Sequence, residues 1–430
     1  MNTIGWMEFA ESEIVSEYQV IQLRKAIEYV YKYSKYYNKL LRDHDIKPSD
    51  IKKIEDIKKI PFTSKKDLQS HNEDFFCCDY NEASDVVHSS GSTGTKPIIN
   101  ILTRSDLDRL AYSEELSFLC AGVSKNDVFM DTAALDGFYI AGIAYYLGLH
   151  RLGSCVLRVG STDFEQQVSL ISKIEITGIV GVPSSLVTLA EHCTNIDSRL
   201  AVKKLILIGE TIRDKAYNLN SLGKKLSDAW PNAKLISTYG NTELATAFCE
   251  CPAGNGGHVH PDLCFAEIVD ENGSSLDPGE IGDLVVTTFA TQGMPLLRYR
   301  TGDITFIDSH ICSCGRITPR IGPVLGRREN MLKVNGVSVY PLAIEQVIHN
   351  MSEIKDFIIL INVAESGTDE VEIFVSTRKK DAGFFSNFII NNVRKETRIT
   401  PKVTFCNDER IKSMQSLSGS RKTRRIIDLR

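Results

Sequence analysis

The sequence has no apolar run long enough to cross a bilayer. Its longest strongly apolar stretch is FYIAGIAYYLGL, residues 138–149. A spanning helix needs about 20 such residues, so this stretch reads as a core element. A basic surplus is also missing. Fifty Lys and Arg face 55 Asp and Glu, for a net charge of −5. That balance argues against non-specific binding to nucleic acid or to an anionic membrane surface, both of which favour basic proteins. The opening MNTIGWMEFAESE carries acids early and lacks the basic-then-apolar order of a secretory signal. A disulfide framework is not expected either. The 11 cysteines are an odd number, and without an export signal the expectation is reduced thiols in the cytoplasm. No internal repeat or low-complexity segment interrupts the chain.

What is present is 430 residues, 42% hydrophobic and 24% charged, an ordinary soluble composition. At roughly 150 residues per domain the length implies two to four domains. Such a chain can bury a core without disulfides or metals.

Residues 15–45 carry apolar side chains three and four apart and predict amphipathic helix. Pro61 ends any helix before it, and Thr63 or Ser64 can cap a short one through Leu68. From about residue 85, β-rich runs (VVHSS, NDVFMDTAA, SCVLRVG, ITGIVGVP, KKLILIGE, AKLISTYG) alternate with helical segments. This predicts an α/β fold with βα units and a mostly parallel, buried sheet. A small antiparallel β region follows, signalled by Asn272-Gly273 and Pro278-Gly279. The last hundred residues order as helix, strand, strand, helix, strand, which suits a separate α+β domain. The expected boundaries are 1–326 and 327–430.

One loop stands out: Ser89-Ser90-Gly91-Ser92-Thr93-Gly94-Thr95-Lys96-Pro97. Its glycines let the backbone approach a ligand, and backbone N–H groups, hydroxyls and one ammonium together make a phosphate cradle. The preceding DVVH reads as a strand, so the loop lies at a strand end. The glycine spacing and Lys96-Pro97 exclude a Walker A loop. The alternative is a solvated turn.

SSGSTGTKP resembles the phosphate loop of the adenylate-forming superfamily, which includes acyl-CoA ligases and peptide-synthetase adenylation domains. Three further stretches resemble its motifs in the right order: Tyr239-Gly240-Asn241-Thr242-Glu243, Tyr299-Arg300-Thr301-Gly302-Asp303, and Gly326-Arg327-Arg328-Glu329-Asn330 with Gly336. Within the superfamily the resemblance is to phenylacetate-CoA ligases. The N-terminal helical region, NGVSVYPLAIE and the ending Lys422-Thr423-Arg424-Arg425-Ile426-Ile427-Asp428 carry it, so nearly the whole chain is covered.

That resemblance implies a large adenylate-forming domain and a mobile C-terminal domain. The implied reaction joins a carboxylate to the α-phosphorus of ATP, releases pyrophosphate, and passes the acyl group to coenzyme A. Loading of a carrier-protein pantetheine is the alternative acceptor. A non-catalytic nucleotide-binding protein is a third reading, against which Lys96, Thr242, Glu243, Asp303, Arg327 and Lys422 are all retained. By the same resemblance, Ser89 to Lys96 hold the β- and γ-phosphates and Thr242 donates to the α-phosphate. Glu243 holds Mg²⁺, a hard cation wanting oxygen ligands. Tyr239 stacks on adenine, Gly209-Glu210 pass beside it, and Asp303 and Arg327 take the ribose. Lys422 is the catalytic lysine, its compact charge suited to a developing pentavalent phosphate. Arg421 precedes it where the family has glycine. Glu329 marks the hinge, where the family has Asp. Asp136, Gly137, Phe138, Tyr139 and Ser184 correspond to pocket-lining segments. The residues there depart from the phenylacetate pattern, and the expected substrate is a small aryl or short acyl carboxylic acid. A homodimer is consistent with the resemblance.

Cys251, His258, Cys312 and Cys314 offer three thiolates and an imidazole to a structural Zn²⁺. Glycines 254, 256, 257 and 315 free the loops to wrap an ion. Some phenylacetate-ligase relatives carry a similar pattern. Cys249, His260, Cys264 and His310 compete as ligands. Cys77, Cys78, Cys120, Cys155, Cys193 and Cys406 read as plain thiols.

Overall fold

The computed structural model describes residues 4–89, 97–160, 162–193, 196–334, 337–351, 353–363, 369–377, 382–416 and 425–430. The chain divides into two compact units. One comprises residues 1–219 and 223–323, the other 220–222 and 324–430.

The first unit begins with helices α1 (Ser12–Tyr33) and α2 (Lys35–Asp43). Leu23, Ile27 and Val30 are fully buried on one face of α1, as their spacing requires. The predicted single helix is in fact two, because Ser34 leaves the helical conformation. Its N–H closes α1 on the Val30 carbonyl at 3.0 Å, and its hydroxyl caps α2 by accepting from Tyr37 N–H at 3.3 Å. Strand β1 (Thr63–Ser64) leads into α3 (Lys65–His71). There Ser64, one of the two caps read at that position, forms a reciprocal capping box with Asp67.

The expected parallel sheet is present, with one strand placed differently. Strands β2 (Asp85–His88) and β3 (Ile99–Leu102) pair antiparallel as a separate ribbon. The strand leading into the glycine-rich loop therefore lies outside the main sheet. That sheet contains β4 (Val128–Asp131), β5 (Cys155–Arg158), β6 (Gly178–Gly181), β7 (Lys204–Leu207) and β8 (Lys234–Asn241), all parallel, in the order β5-β4-β6-β7-β8. It continues antiparallel through β9 (Thr246–Glu250) and β10 (Gly257–His258). Helices α4 (Arg104–Cys120) and α5 (Ile140–Leu152) cover one face, through contacts such as Phe118 on Phe129. Helices α6 (Phe164–Lys173), α7 (Pro183–His192) and α8 (Ser221–Ala229) pack on the core of the other face, around Trp230.

The predicted antiparallel region forms a second sheet. Strands β11 (Cys264–Val269), β12 (Gly282–Thr288) and β13 (Tyr299–Thr305) run antiparallel in sequence, and β1 adds parallel to β13. Two short strands, β14 (Ile307–Asp308) and β15 (Arg320–Ile321), return the chain to the large sheet beside β10.

The second unit has a four-stranded sheet ordered 402–405, 369–377, 354–363 and 426–428. Helices α9 (Pro341–His349), α10 (Ala382–Thr397) and α11 (Asp408–Ser416) accompany it. The last strand and α11 were not read from the sequence. Both are short, and Ile426-Ile427-Asp428 becomes a strand by pairing with residues 67 positions earlier in the chain, Ile359 to Ile361.

A buried ion pair fixes the entry to β13. The Arg298 guanidinium bonds both carboxylate oxygens of Glu267 at 3.1 Å. It also donates to the Ile60 carbonyl at 2.9 Å, which ties the N-terminal segment to the second sheet. Removing one partner strands the other charge in the interior, at a cost of about 3–5 kcal/mol. Glu267→Ala should therefore lower the unfolding free energy of the first unit by an amount of that order, read from its denaturant midpoint and slope. A loss below about 1 kcal/mol would show that the pair does not brace the sheet.

Candidate active site

Ligands of open α/β sheets bind beyond the carboxyl ends of the strands. At that end of β8 the chain reads Tyr239-Gly240-Asn241-Thr242-Glu243. Tyr239 faces Phe248 across the β8–β9 ladder, the rings parallel within 7° and 5.8 Å apart. Phe248 thus covers one face of the ring expected to stack on adenine. The Tyr239 hydroxyl donates to Asp303 Oδ2 at 2.7 Å. This bond joins two of the recognised motifs, one on each sheet.

The turn after β8 is held from beneath. Asn241 Oδ1 accepts from Leu244 N–H at 3.0 Å. The Asn100 amide, on β3, donates to the Thr242 carbonyl at 3.0 Å. Ala245 takes a left-handed φ of 46°. Its carbonyl accepts from buried Arg109 at 2.9 Å, and the same guanidinium donates to Leu263 and Phe289 carbonyls, each at 2.7 Å. Thr242 and Glu243 are consequently buried and fixed.

Asp303 lies on β13 behind Gly302, whose φ is +80°. A Cβ at Gly302 would meet nothing within 4 Å, so backbone conformation is what requires glycine there. Thr301 Oγ1 accepts the Asp303 N–H at 3.1 Å and donates to the Leu284 carbonyl at 3.0 Å, which sets the turn.

Gly209 and Glu210 follow β7, with Gly209 at φ +75°. The Glu210 carboxylate accepts from the Ser184 N–H at 2.8 Å and its hydroxyl at 2.9 Å. A residue expected beside adenine is thus bonded to one expected at the acid. The other acid-side residues, 136–139, form an exposed turn before α5. Gly137 and Phe138 both have positive φ, 68° and 61°. The Phe138 ring lies 5.0 Å from His88, and its carbonyl accepts the His88 N–H at 3.1 Å. The turn therefore sits against the strand that leads to the glycine-rich loop. In that loop Ser89 is described, and its hydroxyl accepts from Ile98 N–H at 3.3 Å. Ser90, Gly91, Ser92, Thr93, Gly94, Thr95 and Lys96 lie outside the described residues, as does Lys422. Arg327 and Glu329 belong to the second unit, at its start.

The cysteine expectation meets a defined cluster. The ligand atoms of Cys251, His258, Cys312 and Cys314 all lie within 4.8 Å of one another. Cys251 and Cys312 sulfurs are 3.5 Å apart, and Cys314 Sγ is 3.5 Å from His258 Nε2. Ligands on a tetrahedral zinc, with Zn–S about 2.3 Å, stand roughly 3.5–3.8 Å from each other. The donor set and its spacing therefore fit the ion. His258 Nδ1 meets Thr318 Oγ1 at 3.1 Å, an orienting contact of the kind metal-bound imidazoles have. Burial pushes His258 down to about 4, so the ring is neutral. Burial pushes the Cys314 thiol up. Donors from Arg316, with Cys312 and Cys251 behind them, outweigh it and hold the thiol below its ordinary value.

The competing ligands are engaged elsewhere. His260 bonds Glu8 at 2.6 Å and Ser117 at 3.3 Å. Cys264 donates to the His260 carbonyl at 3.7 Å. His310 pairs with Asp308 at the surface, at 2.8 Å. Cys249 is buried on the α4/α5 face of the large sheet. Cys120, read as a plain thiol, packs with Cys251 and Cys312. Glu8 and Arg316 were not singled out at all. Glu8 binds both Arg316 and His260, and Arg316 donates to Cys314 Sγ at 3.7 Å. Nothing local in the sequence links residue 8 to residue 316.

Comparison with known proteins places the chain in a family. The model of the AMP-binding enzyme family matches residues 34–291. That of the AMP-binding enzyme C-terminal domain matches residues 336–430. The phenylacetate-coenzyme A ligase of Thermus thermophilus is 32% identical over 377 residues, 86% of this chain and 83% of the relative. That of Escherichia coli is 26% identical over 357 residues, 79% of this chain and 77% of the relative. Among solved structures, a 2-hydroxyisobutyryl-CoA ligase in the postadenylation state, in complex with R3-HIB-AMP, superposes with a TM-score of 0.85 at 21% identity, covering 99% of this chain and 91% of its own. That likeness speaks to the fold. With both family models matched in order along its length, the chain belongs to the AMP-binding enzyme family.

Proposed function

We propose that the protein is an ATP-dependent acid–thiol ligase acting on a small aryl or short acyl carboxylic acid. A carboxylate oxygen bonds to the α-phosphorus of ATP as the bond to pyrophosphate breaks, which gives acyl-AMP. The sulfur of coenzyme A then bonds to the acyl carbon, and AMP leaves. The observation that carries this reading is the bond of Tyr239, near the end of β8, to Asp303 on β13, beside the buried Thr242 and Glu243 that follow β8.

Each residue has a part that suits its surroundings. The Tyr239 ring, backed by Phe248, offers a flat apolar surface to adenine. Asp303, oriented by the Tyr239 hydroxyl, accepts from the ribose, and Arg327 is a second ribose contact. Glu210 passes beside adenine, as does Gly209. Thr242 donates to the α-phosphate. Glu243 supplies a hard oxygen to Mg²⁺, and the ion neutralises charge on the phosphates when bound. Ser89 to Lys96 cradle the β- and γ-phosphates. Lys422 neutralises the charge that develops at the α-phosphorus. Residues 1–326 bind ATP and acid, and 327–430 form the small mobile domain, with Glu329 at its hinge. Asp136, Gly137, Phe138, Tyr139 and Ser184 line the acid side.

A Zn²⁺ held by Cys251, His258, Cys312 and Cys314 serves structure. Four protein ligands leave no open position for catalysis.

Three outcomes are expected. Lys422→Ala should slow acyl-AMP formation by about 100- to 1,000-fold, while transfer from supplied acyl-AMP to coenzyme A stays within several-fold. Equal loss in both steps, measured by quenched flow, would remove the assigned role. Thioester should form with free coenzyme A. Formation only with a carrier-protein pantetheine would shift the acceptor. Protein purified without added metal should hold about one zinc per chain by elemental analysis, and Cys312→Ser with Cys314→Ser should lose it. A stoichiometry near zero in the unaltered protein would dismiss the site.

A further inference from the structure

Two charged residues, Glu8 and Arg316, take no part in the reaction above, and their contacts lead to the Cys/His cluster. Glu8 sits in the short N-terminal turn Trp6–Phe9. It is 1% exposed, although Trp6 and Phe9 on either side are 51% and 52% exposed. Only Met7 and Glu8 of that turn are buried. The turn is therefore anchored by a carboxylate as well as by apolar packing, and a buried carboxylate persists only where it is paired.

Its partners are in place. Arg316 Nε donates to Glu8 Oε2. Glu8 Oε1 lies 2.6 Å from His260 Nδ1, and His260 Nε2 lies 3.3 Å from Ser117 Oγ on α4. The Glu8 carbonyl accepts the Ile317 N–H at 3.0 Å. The Arg316 guanidinium lies 5.1 Å from the centre of the Phe9 ring. Its Nη1 donates to Cys314 Sγ at 3.7 Å. One guanidinium thus touches a metal-ligand candidate on one side and the N-terminal turn on the other.

Charge gives that guanidinium a purpose. Three thiolates and a neutral imidazole on Zn²⁺ leave one net negative charge, which is costly in a buried place unless a cation offsets it. Among the described residues, Arg316 is the cation with an N–H on a sulfur of the cluster. Connectivity gives the turn a stake in the ion. Residues 309–319, between β14 and β15, form no helix or strand. Within them the Gly315 N–H closes a turn on the Cys312 carbonyl at 3.0 Å. An ion on Cys312 and Cys314 fixes this segment, and the residues just beyond it, Arg316 and Ile317, both donate to Glu8.

We propose that Arg316 and Glu8 are positioning residues of the metal site, and that binding of the ion and docking of the N-terminal turn are one coupled event. Arg316 offsets the thiolate charge, and Glu8 holds Arg316 against the sulfur. By linkage, the factor by which the ion strengthens docking of the turn is the factor by which the docked turn strengthens ion binding. The inference rests on the zinc reading above and does not depend on which acid the enzyme activates.

The test measures zinc affinity of the whole protein by competition with a chromophoric chelator. Arg316→Met and Glu8→Gln should each weaken it by about 10- to 100-fold, as loss of a group that orients a ligand does, although neither residue is a ligand. Glu8→Gln keeps the side-chain shape and carries the test if Arg316→Met does not fold. Glu267→Ala, which breaks a buried pair in the second sheet, should leave zinc affinity unchanged. The reciprocal effect is read from fluorescence. The chain has two tryptophans, and Trp230 is 1% exposed against 51% for Trp6. Removing zinc should make the emission more easily quenched by acrylamide, and Trp6→Phe should abolish that change. Zinc affinity unaltered in both Arg316→Met and Glu8→Gln would overturn the proposal and leave the four-ligand site standing. So would an equal loss in Glu267→Ala, or quenching indifferent to zinc. Unaltered protein that binds no zinc would overturn the metal reading and the proposal together.

Discussion

One hydrogen bond, from the Tyr239 hydroxyl to Asp303, sets the geometry on which the nucleotide-binding reading depends. Tyr239 lies near the end of the last parallel strand of the large sheet, and Asp303 lies on β13 of the second sheet. The bond therefore registers two separate sheets at one point. Each partner is also held by contacts of its own. Tyr239 is held against Phe248 by the β8–β9 ladder. Asp303 is held by the Thr301 turn and by the positive-φ glycine before it. Behind the site, Arg109 and Asn100 grip the backbone of the following turn, so Thr242 and Glu243 have little freedom. Such prior fixing is what electrostatic catalysis needs, since nothing must reorganise as charge develops.

The Cys/His cluster constrains a different part of the first unit. Its ligands come from the loop after β9, from β10, and from the segment between β14 and β15. Arg316 connects the cluster to Glu8, and Glu8 connects to His260. An ion at this position would lock four stretches that secondary structure alone leaves loosely joined. The N-terminal turn, Trp6–Phe9, would be included. A structural metal here would substitute for core, because these loops bury few large apolar side chains of their own.

The sequence was most legible where chemistry is local. A cap for α3 at Thr63 or Ser64, the parallel strands 128–131, 178–181, 204–207 and 234–241, and the grouping of Cys251, His258, Cys312 and Cys314 were all readable from short patterns. It was least legible where partners are remote. The ribbon of Asp85–His88 with Ile99–Leu102 looked like another parallel strand, since a four-residue apolar run does not say what it pairs with. The break at Ser34 is hidden by apolar spacing that continues across it. Glu8, Arg316, Asn100 and Arg109 matter through contacts spanning about a hundred residues or more, and no periodicity announces such contacts.

The central claim is that ATP is cleaved at its α-phosphorus in an acid-dependent way. The most direct measurement is to incubate the protein with Mg-ATP and a panel of carboxylic acids, without coenzyme A, and identify the products by mass spectrometry. The account predicts acyl-AMP and pyrophosphate in equal amounts, with at least one acid of the panel. Formation of ADP and an acyl phosphate, or turnover indifferent to every acid, would contradict it.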